Sequence, residues 1–187
     1  MKIIKNSLKQ SHQYIKACVN EGDTVVDATC GNGNDTVFLA QLVGERGRVF
    51  GFDIQDAAIE NTAGKLEELK LLKRVTLIKD GHENMGNYVN ENIKAVMFNL
   101  GYLPGSDHSV STKADTTISA IEKSMELLVT GGIITIVIYY GKDNGTQEKE
   151  KVLSFIKTIE QKKFAVMKTE FINQRNCPPI LVCIEKL

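Results

Sequence analysis

Thr24-Val25-Val26-Asp27-Ala28-Thr29-Cys30-Gly31-Asn32-Gly33-Asn34-Asp35 decides the fold: an apolar run, an acid, two glycines one residue apart, then Thr36-Val37-Phe38-Leu39-Ala40 with helical character. The order reads as buried strand, tight turn and helix N-terminus. Glycine admits positive φ and a close ligand, and the first helical turn leaves N–H groups unpaired, so the junction is a ligand cradle. A dinucleotide fingerprint needs a third glycine three residues after Gly33, where Thr36 stands, which disfavours a pyrophosphate and a nicotinamide-dependent oxidoreductase. No G-x-x-x-x-G-K-[ST] loop is present, which removes the usual nucleoside triphosphate reading.

Working outward, Gly47-Arg48-Val49-Phe50-Gly51-Phe52-Asp53 reads as a second strand ending in an acid twenty residues after Gly33. A carboxylate there accepts hydrogen bonds from both ribose hydroxyls of an adenosine. The glycine turn and this acid together resemble the S-adenosylmethionine (SAM) site of class I methyltransferases. The resemblance implies that Asp27, Thr29, Gly31, Asn32, Gly33, Asn34, Asp35 and Thr36 form the loop around the amino-acid end of the cofactor, with Asp53 and Ile54 on the ribose side.

Ser7 is the expected N-cap of a helix over 7–19, with Leu8, Tyr14, Ile15 and Cys18 on one face. Helices are expected over 35–43, 55–72, 117–128 and 147–161, the second carrying Ala58, Ile59, Leu66, Leu69 and Leu72 as its apolar stripe. Further strands are expected over 75–78, 93–99, 133–139, 164–171 and 180–185. Alternation of strand and helix implies a parallel sheet covered on both faces. The 173–179 connection is too short for a crossover helix, so the last two strands should pair antiparallel. The expected fold is α/β and Rossmann-like, as in class I methyltransferases: a seven-stranded, mostly parallel sheet with an antiparallel C-terminal hairpin, helices on both faces, and one domain over 1–187.

A chain of 187 residues with 23 basic and 23 acidic side chains has no overall attraction for polyanions, so a nucleic-acid partner must meet local patches. Lys2, Lys5, Lys9 and Lys16 gather near the N-terminus, and Lys162, Lys163, Lys168 and Arg175 come late in the chain. Such charges more often mark solvated helix faces. Cys18, Cys30, Cys177 and Cys183 form no C-x-x-C pair, which argues for reduced, packed thiols and no metal site. No apolar run could cross a bilayer and no secretory leader precedes the first helix, so a cytoplasmic protein without membrane contact is expected.

Ligands of open α/β sheets bind beyond the C-terminal strand ends. That selects, besides the cradle and Asp53, the loops Asp80-Gly81-His82, on the adenine side in class I enzymes, and Asn99-Leu100-Gly101-Tyr102-Leu103-Pro104-Gly105. Asn99 can offer a side-chain carbonyl and the turn a backbone carbonyl to an amine, while Tyr102 offers a flat face to a base. Tyr139 and Tyr140 are further candidates for an acceptor pocket. The pairing of Asp27–Thr36 with Asn99–Gly105, together with Thr112-Lys113, Thr116-Thr117 and Pro178-Pro179, resembles the small bacterial YtqB-like proteins, which include the MnmM-type tRNA methyltransferases. Ser106 and Gly141-Lys142 depart from that family's pattern, which has a glycine and a histidine at those places.

The resemblance implies a SAM-dependent RNA methyltransferase that releases S-adenosylhomocysteine (SAH) and N-methylates the 5-aminomethyl group of a tRNA wobble (2-thio)uridine. Asn99 and Tyr102 would meet the acceptor; Asp80, Gly81, His82, Asn99 and Leu100 would complete the cofactor site. Methylation of rRNA or of a small amine would use the same pocket, and a SAM-binding adapter is the non-enzymatic alternative. A lone catalytic domain must grip tRNA itself or extend its surface as a homodimer.

Overall fold

The computed structural model describes residues 3–101, 112–141 and 145–187. Tyr102, the rest of its loop through Asp107, and Lys142 therefore lie outside the described residues. In chain order the elements are α1 (Ser7–Cys18), β1 (Thr24–Asp27), α2 (Asn34–Leu42), β2 (Arg48–Asp53), α3 (Asp56–Glu68), β3 (Val75–Lys79), β4 (Ile93–Leu100), α4 (Ala114–Leu127), β5 (Leu128–Ile138), α5 (Gly145–Ile156), β6 (Phe164–Thr169) and β7 (Ile180–Lys186). The strands form one sheet in the order β3-β2-β1-β4-β5-β7-β6. All neighbours are parallel except β5–β7 and β6–β7, so β7 runs antiparallel between two strands and closes the expected hairpin.

Side chains alternate across each strand, and here both faces are apolar. Val96, Phe98 and Leu100 of β4 join Ile134, Ile136 and Ile138 of β5 in one core, capped by Ile121 of α4 and Val152 of α5. Ala95, Met97, Ile133 and Val137 face the other core with Ile15 of α1, Leu39 of α2 and Leu66 of α3. Phe98 is fully buried, so truncating it to alanine costs about 3–5 kcal/mol. Thr135 breaks the apolar run of β5; it is wholly buried and its Oγ1 accepts a hydrogen bond from Ser11 Oγ at 2.9 Å, which fixes α1 against the sheet.

Several element ends differ from expectation for local reasons. The cap of α1 is Asn6, whose Oδ1 accepts from Lys9 N at 2.9 Å, while the hydroxyl of Ser7 donates to Pro179 O. Helix α3 stops at Glu68 because Lys70 takes φ 58° and Leu71 N returns to Leu66 O at 2.7 Å. That leaves Leu69 and Leu72 exposed instead of on the apolar stripe. Helix α5 ends at Ile156, where the N–H and hydroxyl of Thr158 both turn onto Phe155 O. Strand β5 starts at Leu128, earlier than expected, with an irregular register against β4 between Ile93 and Ala95.

The order in which successive strands join the sheet reverses at β1, which pairs in parallel with β2 on one side and β4 on the other. The crevice beyond the C-terminal ends of β1 and β4 is thus the switch point where such sheets bind ligands.

Candidate active site

The turn after β1 carries Gly31 at φ 50° and Gly33 at φ 75°, a region that favours glycine. A Cβ on Gly33 would also lie 2.9 Å from the Cα of Thr62, so helix α3 closes on the turn only because no side chain stands there. Asp27 ends β1 with no exposed surface; its carboxylate accepts from Thr36 Oγ1 at 2.6 Å and Thr29 N at 3.1 Å. Burial, with Asp35 nearby, raises its pKa to about 7. Asp53 closes the cradle from β2: Oδ2 accepts from Gly31 N at 2.9 Å and Oδ1 from Gln55 N at 3.0 Å. Each oxygen keeps a further lone pair for a diol. Beside it Ile54 is 56% exposed, an apolar side chain left open at a strand end.

The other wall is built from distant segments. Asn99 N, near the end of β4, donates to Thr29 Oγ1 at 2.8 Å, and Asn99 Nδ2 donates to Asp35 Oδ2. Asp35 in turn accepts from His12 Nε2 of α1 at 2.6 Å. A carboxylate only accepts, so the His12 proton sits on Nε2 and the Asn99 amide must face Asp35 with its NH2 group. Asn99 Oδ1 is thereby turned away; it is buried with no hydrogen-bond partner among the described residues. Leaving such an acceptor bare costs about 1–3 kcal/mol, which an N–H donor from a ligand would recover. The His12 ring stacks on Phe38 at 4.0 Å between centroids, which holds it in place.

Asp80 precedes the turn His82–Asn87 and braces it, accepting from Gly81 N at 2.7 Å, Asn84 Nδ2 at 2.9 Å and Tyr88 Oη at 2.9 Å. These donors, Asn84 foremost, hold its carboxyl below the usual range. His82 is buried with its ring edge-on to Phe98; Nδ1–H donates to Ala28 O at 3.0 Å, and burial lowers its pKa and keeps it neutral. Its bare Nε2, on the turn His82–Asn87, is with Asn99 Oδ1, near the end of β4, one of two buried side-chain polar atoms without a partner among the described residues.

Not every expected residue meets the crevice directly. Asp27 and Thr36 have no exposed surface, so their part is to set the shape of the turn. Leu100 is fully buried and its carbonyl accepts from Tyr139 N at 3.0 Å, which makes it a core residue with an engaged backbone. Asn32 and Asn34 are held by Lys65 of α3, whose Nζ reaches Asn32 O at 2.6 Å and Asn34 Oδ1 at 2.8 Å. Cys30 is buried under the turn with its thiol pushed well up, mainly by burial, and so stays protonated.

Sequence reading missed His12, Lys65 and Glu148. Glu148 is buried on α5, where burial raises its pKa; Oε2 accepts from Thr112 Oγ1 at 2.8 Å and Oε1 from Thr117 Oγ1 at 3.0 Å. Thr112 Oγ1 also accepts from Gly101 N at 3.1 Å, so Glu148 anchors the return of the chain after β4. The threonines were visible as a motif; nothing in spacing pointed to their partner 31 to 36 residues later.

A seven-stranded sheet with this order, a glycine cradle after β1 and an acid closing β2 define a class I SAM-dependent methyltransferase. The chain belongs to the family described as "Putative rRNA methylase", whose profile matches residues 49–185. It is 38% identical to a chloroplastic tRNA (mnm(5)s(2)U34)-methyltransferase of Arabidopsis thaliana, over 97% of this chain and 70% of that protein. Among solved structures it is similar to a "putative rRNA-methylase" from Clostridium thermocellum, with 72% identity, TM-score 0.99 and full coverage of both chains. A Streptococcus mutans methyltransferase solved in complex with SAH is 45% identical at TM-score 0.92, covering 99% of this chain and all of that one. SAM is accordingly the cofactor and SAH the product.

Proposed function

We propose that this enzyme methylates an amine nitrogen on RNA, the 5-aminomethyl group of a wobble (2-thio)uridine in tRNA. The observation that carries the reading is the Asn99 amide, whose buried Oδ1 lacks a partner among the described residues at the end of β4 while its NH2 is tied to Asp35. An acceptor amine supplies the missing N–H donor, and the A. thaliana relative's name supports a wobble uridine as the molecule bearing it. The family description favours rRNA as the second reading.

In this reading residues 1–187 form one catalytic domain. Asp53 would hold the ribose, with the exposed Ile54 beside it. The Gly31–Gly33 turn, shaped by Asp27, Thr29 and Thr36, receives the methionine end; Asp80, Gly81 and His82 border the adenine. Bound there, SAM supplies a methyl group already activated on a positively charged sulfur. The chain's contribution is alignment: Asn99 Oδ1 takes an N–H of the neutral amine and aims its lone pair, and Tyr102, outside the described residues, is the residue expected from the sequence to meet the base. Orientation of two reactants supplies much of the barrier reduction for such a displacement.

Mass spectrometry of nucleosides from tRNA and rRNA of a strain lacking the gene tests the reading. Accumulation of 5-aminomethyl-2-thiouridine with loss of its methylated form supports it. Loss of an rRNA methyl mark with unchanged tRNA transfers the function to rRNA.

A further inference from the structure

Helix α1 contains no acidic residue, and Lys9, His12 and Lys16 stand at i, i+3 and i+7 on one face of it. Lys5 immediately precedes the Asn6 cap. His12 is the inner member of this row and touches Asp35, the carboxylate that orients Asn99. Lys16 Nζ stands 5.6 Å from the centroid of Phe38, the ring on which His12 stacks. The row is therefore registered on the active-site wall, with His12 at the crevice and lysines before and after it. None of Lys5, Lys9 and Lys16 forms an ion pair among the described residues, although eight Lys or Arg side chains elsewhere in them pair with a carboxylate. The cost of desolvating a pre-existing salt bridge is thus absent when a phosphate arrives.

We propose that the Lys5, Lys9 and Lys16 row of α1 is the track on which the RNA substrate's phosphate backbone lies as its target base enters the crevice beside His12. The proposal rests on the RNA reading above and adds the surface that reading lacks, since the chain's net charge is zero. Lys9 and Lys16 are separated by about 10 Å along the helix axis, so a single strand passing the crevice can meet both. The ammonium groups act as point charges: they hold register and supply affinity without reading sequence.

The test uses the full chain and tRNA purified from a strain lacking the gene. A variant with Lys5→Gln, Lys9→Gln and Lys16→Gln is compared with wild type by tRNA Kd over a salt series, by KM and kcat, and by SAH titration. Three lost phosphate contacts lower the slope of log K against log salt by about 2. The expected result is that shallower slope and a raised KM, with kcat at saturating tRNA and SAH affinity both within about twofold of wild type. An unchanged slope and KM, in a variant that still binds SAH, overturns the track while leaving the RNA reading intact. Failure of the wild type to bind or methylate tRNA or rRNA even at low salt overturns the RNA reading, and the track with it.

Discussion

The two walls of the crevice are built differently. The cofactor cradle is tied first by nearby chain: Asp27 binds Thr29 and Thr36 within ten residues, Gly31 reaches Asp53 across a single crossover, and Lys65 of α3 and Asn99 N of β4 add longer links to Asn32, Asn34 and Thr29. The wall proposed to meet the acceptor draws on α1, α2 and β4, joining His12, Asp35 and Asn99 across up to 64 residues of sequence. A cradle for an invariant cofactor can be encoded as one motif. A wall that must suit a particular substrate is assembled by the packing of α1 on the sheet, and is correspondingly open to change without loss of SAM binding.

The sharpest way to break this contrast is through folding. The Asp27 carboxyl, held near 7 when folded against an ordinary 3.8, binds more protons in the folded than in the unfolded chain between those values. Its stabilising contribution is therefore complete below about pH 4 and is lost as pH rises through about 7. Urea denaturation of wild type and Asp27→Asn at pH 5 and 8 should show the wild type falling behind at the higher pH; parallel curves would mean the cradle stores no such strain.

On the acceptor wall, Asn99→Ala should lower kcat by about 100-fold or more, the scale of a lost polar contact to the reacting group, while SAH affinity changes little. Equal losses in both would merge the two walls into one. Asp53→Ala should do the reverse, weakening SAH binding by about 10- to 100-fold in calorimetry through loss of charge-assisted hydrogen bonds. The smallest effect is expected from His12→Ala: a few-fold drop in kcat with unchanged SAH binding, because Asp35 and Asn99 keep their own contact when the ring is gone. A His12 variant that loses SAH affinity would place α1 in the cofactor site.

Much of the cradle was legible because its chemistry is local. Gly31 and Gly33 announce a positive-φ turn, and Asp53 is placed by the length of one helix and one strand. Asn99 was legible for the same reason, as a polar residue ending an apolar strand. His12 was not: on α1 it reads as one more polar residue of a solvated face, and only docking of that helix through Ser11 and Thr135 brings it to Asp35. Glu148 was hidden likewise, since a buried glutamate on an amphipathic helix looks like its exposed neighbours until its threonine partners are seen.

By itself the sequence determined the order of strands and helices, the parallel sheet with its antiparallel end, and the cofactor-binding turn, because periodicity and glycine conformation act over a few residues. Only the tertiary structure decided which face of α1 borders the crevice, which way the Asn99 amide points and where the lysines of α1 lie relative to them. Those depend on the packing of segments far apart in the chain, where the energy of contact is set by shape and hydrogen-bond geometry that no local pattern records.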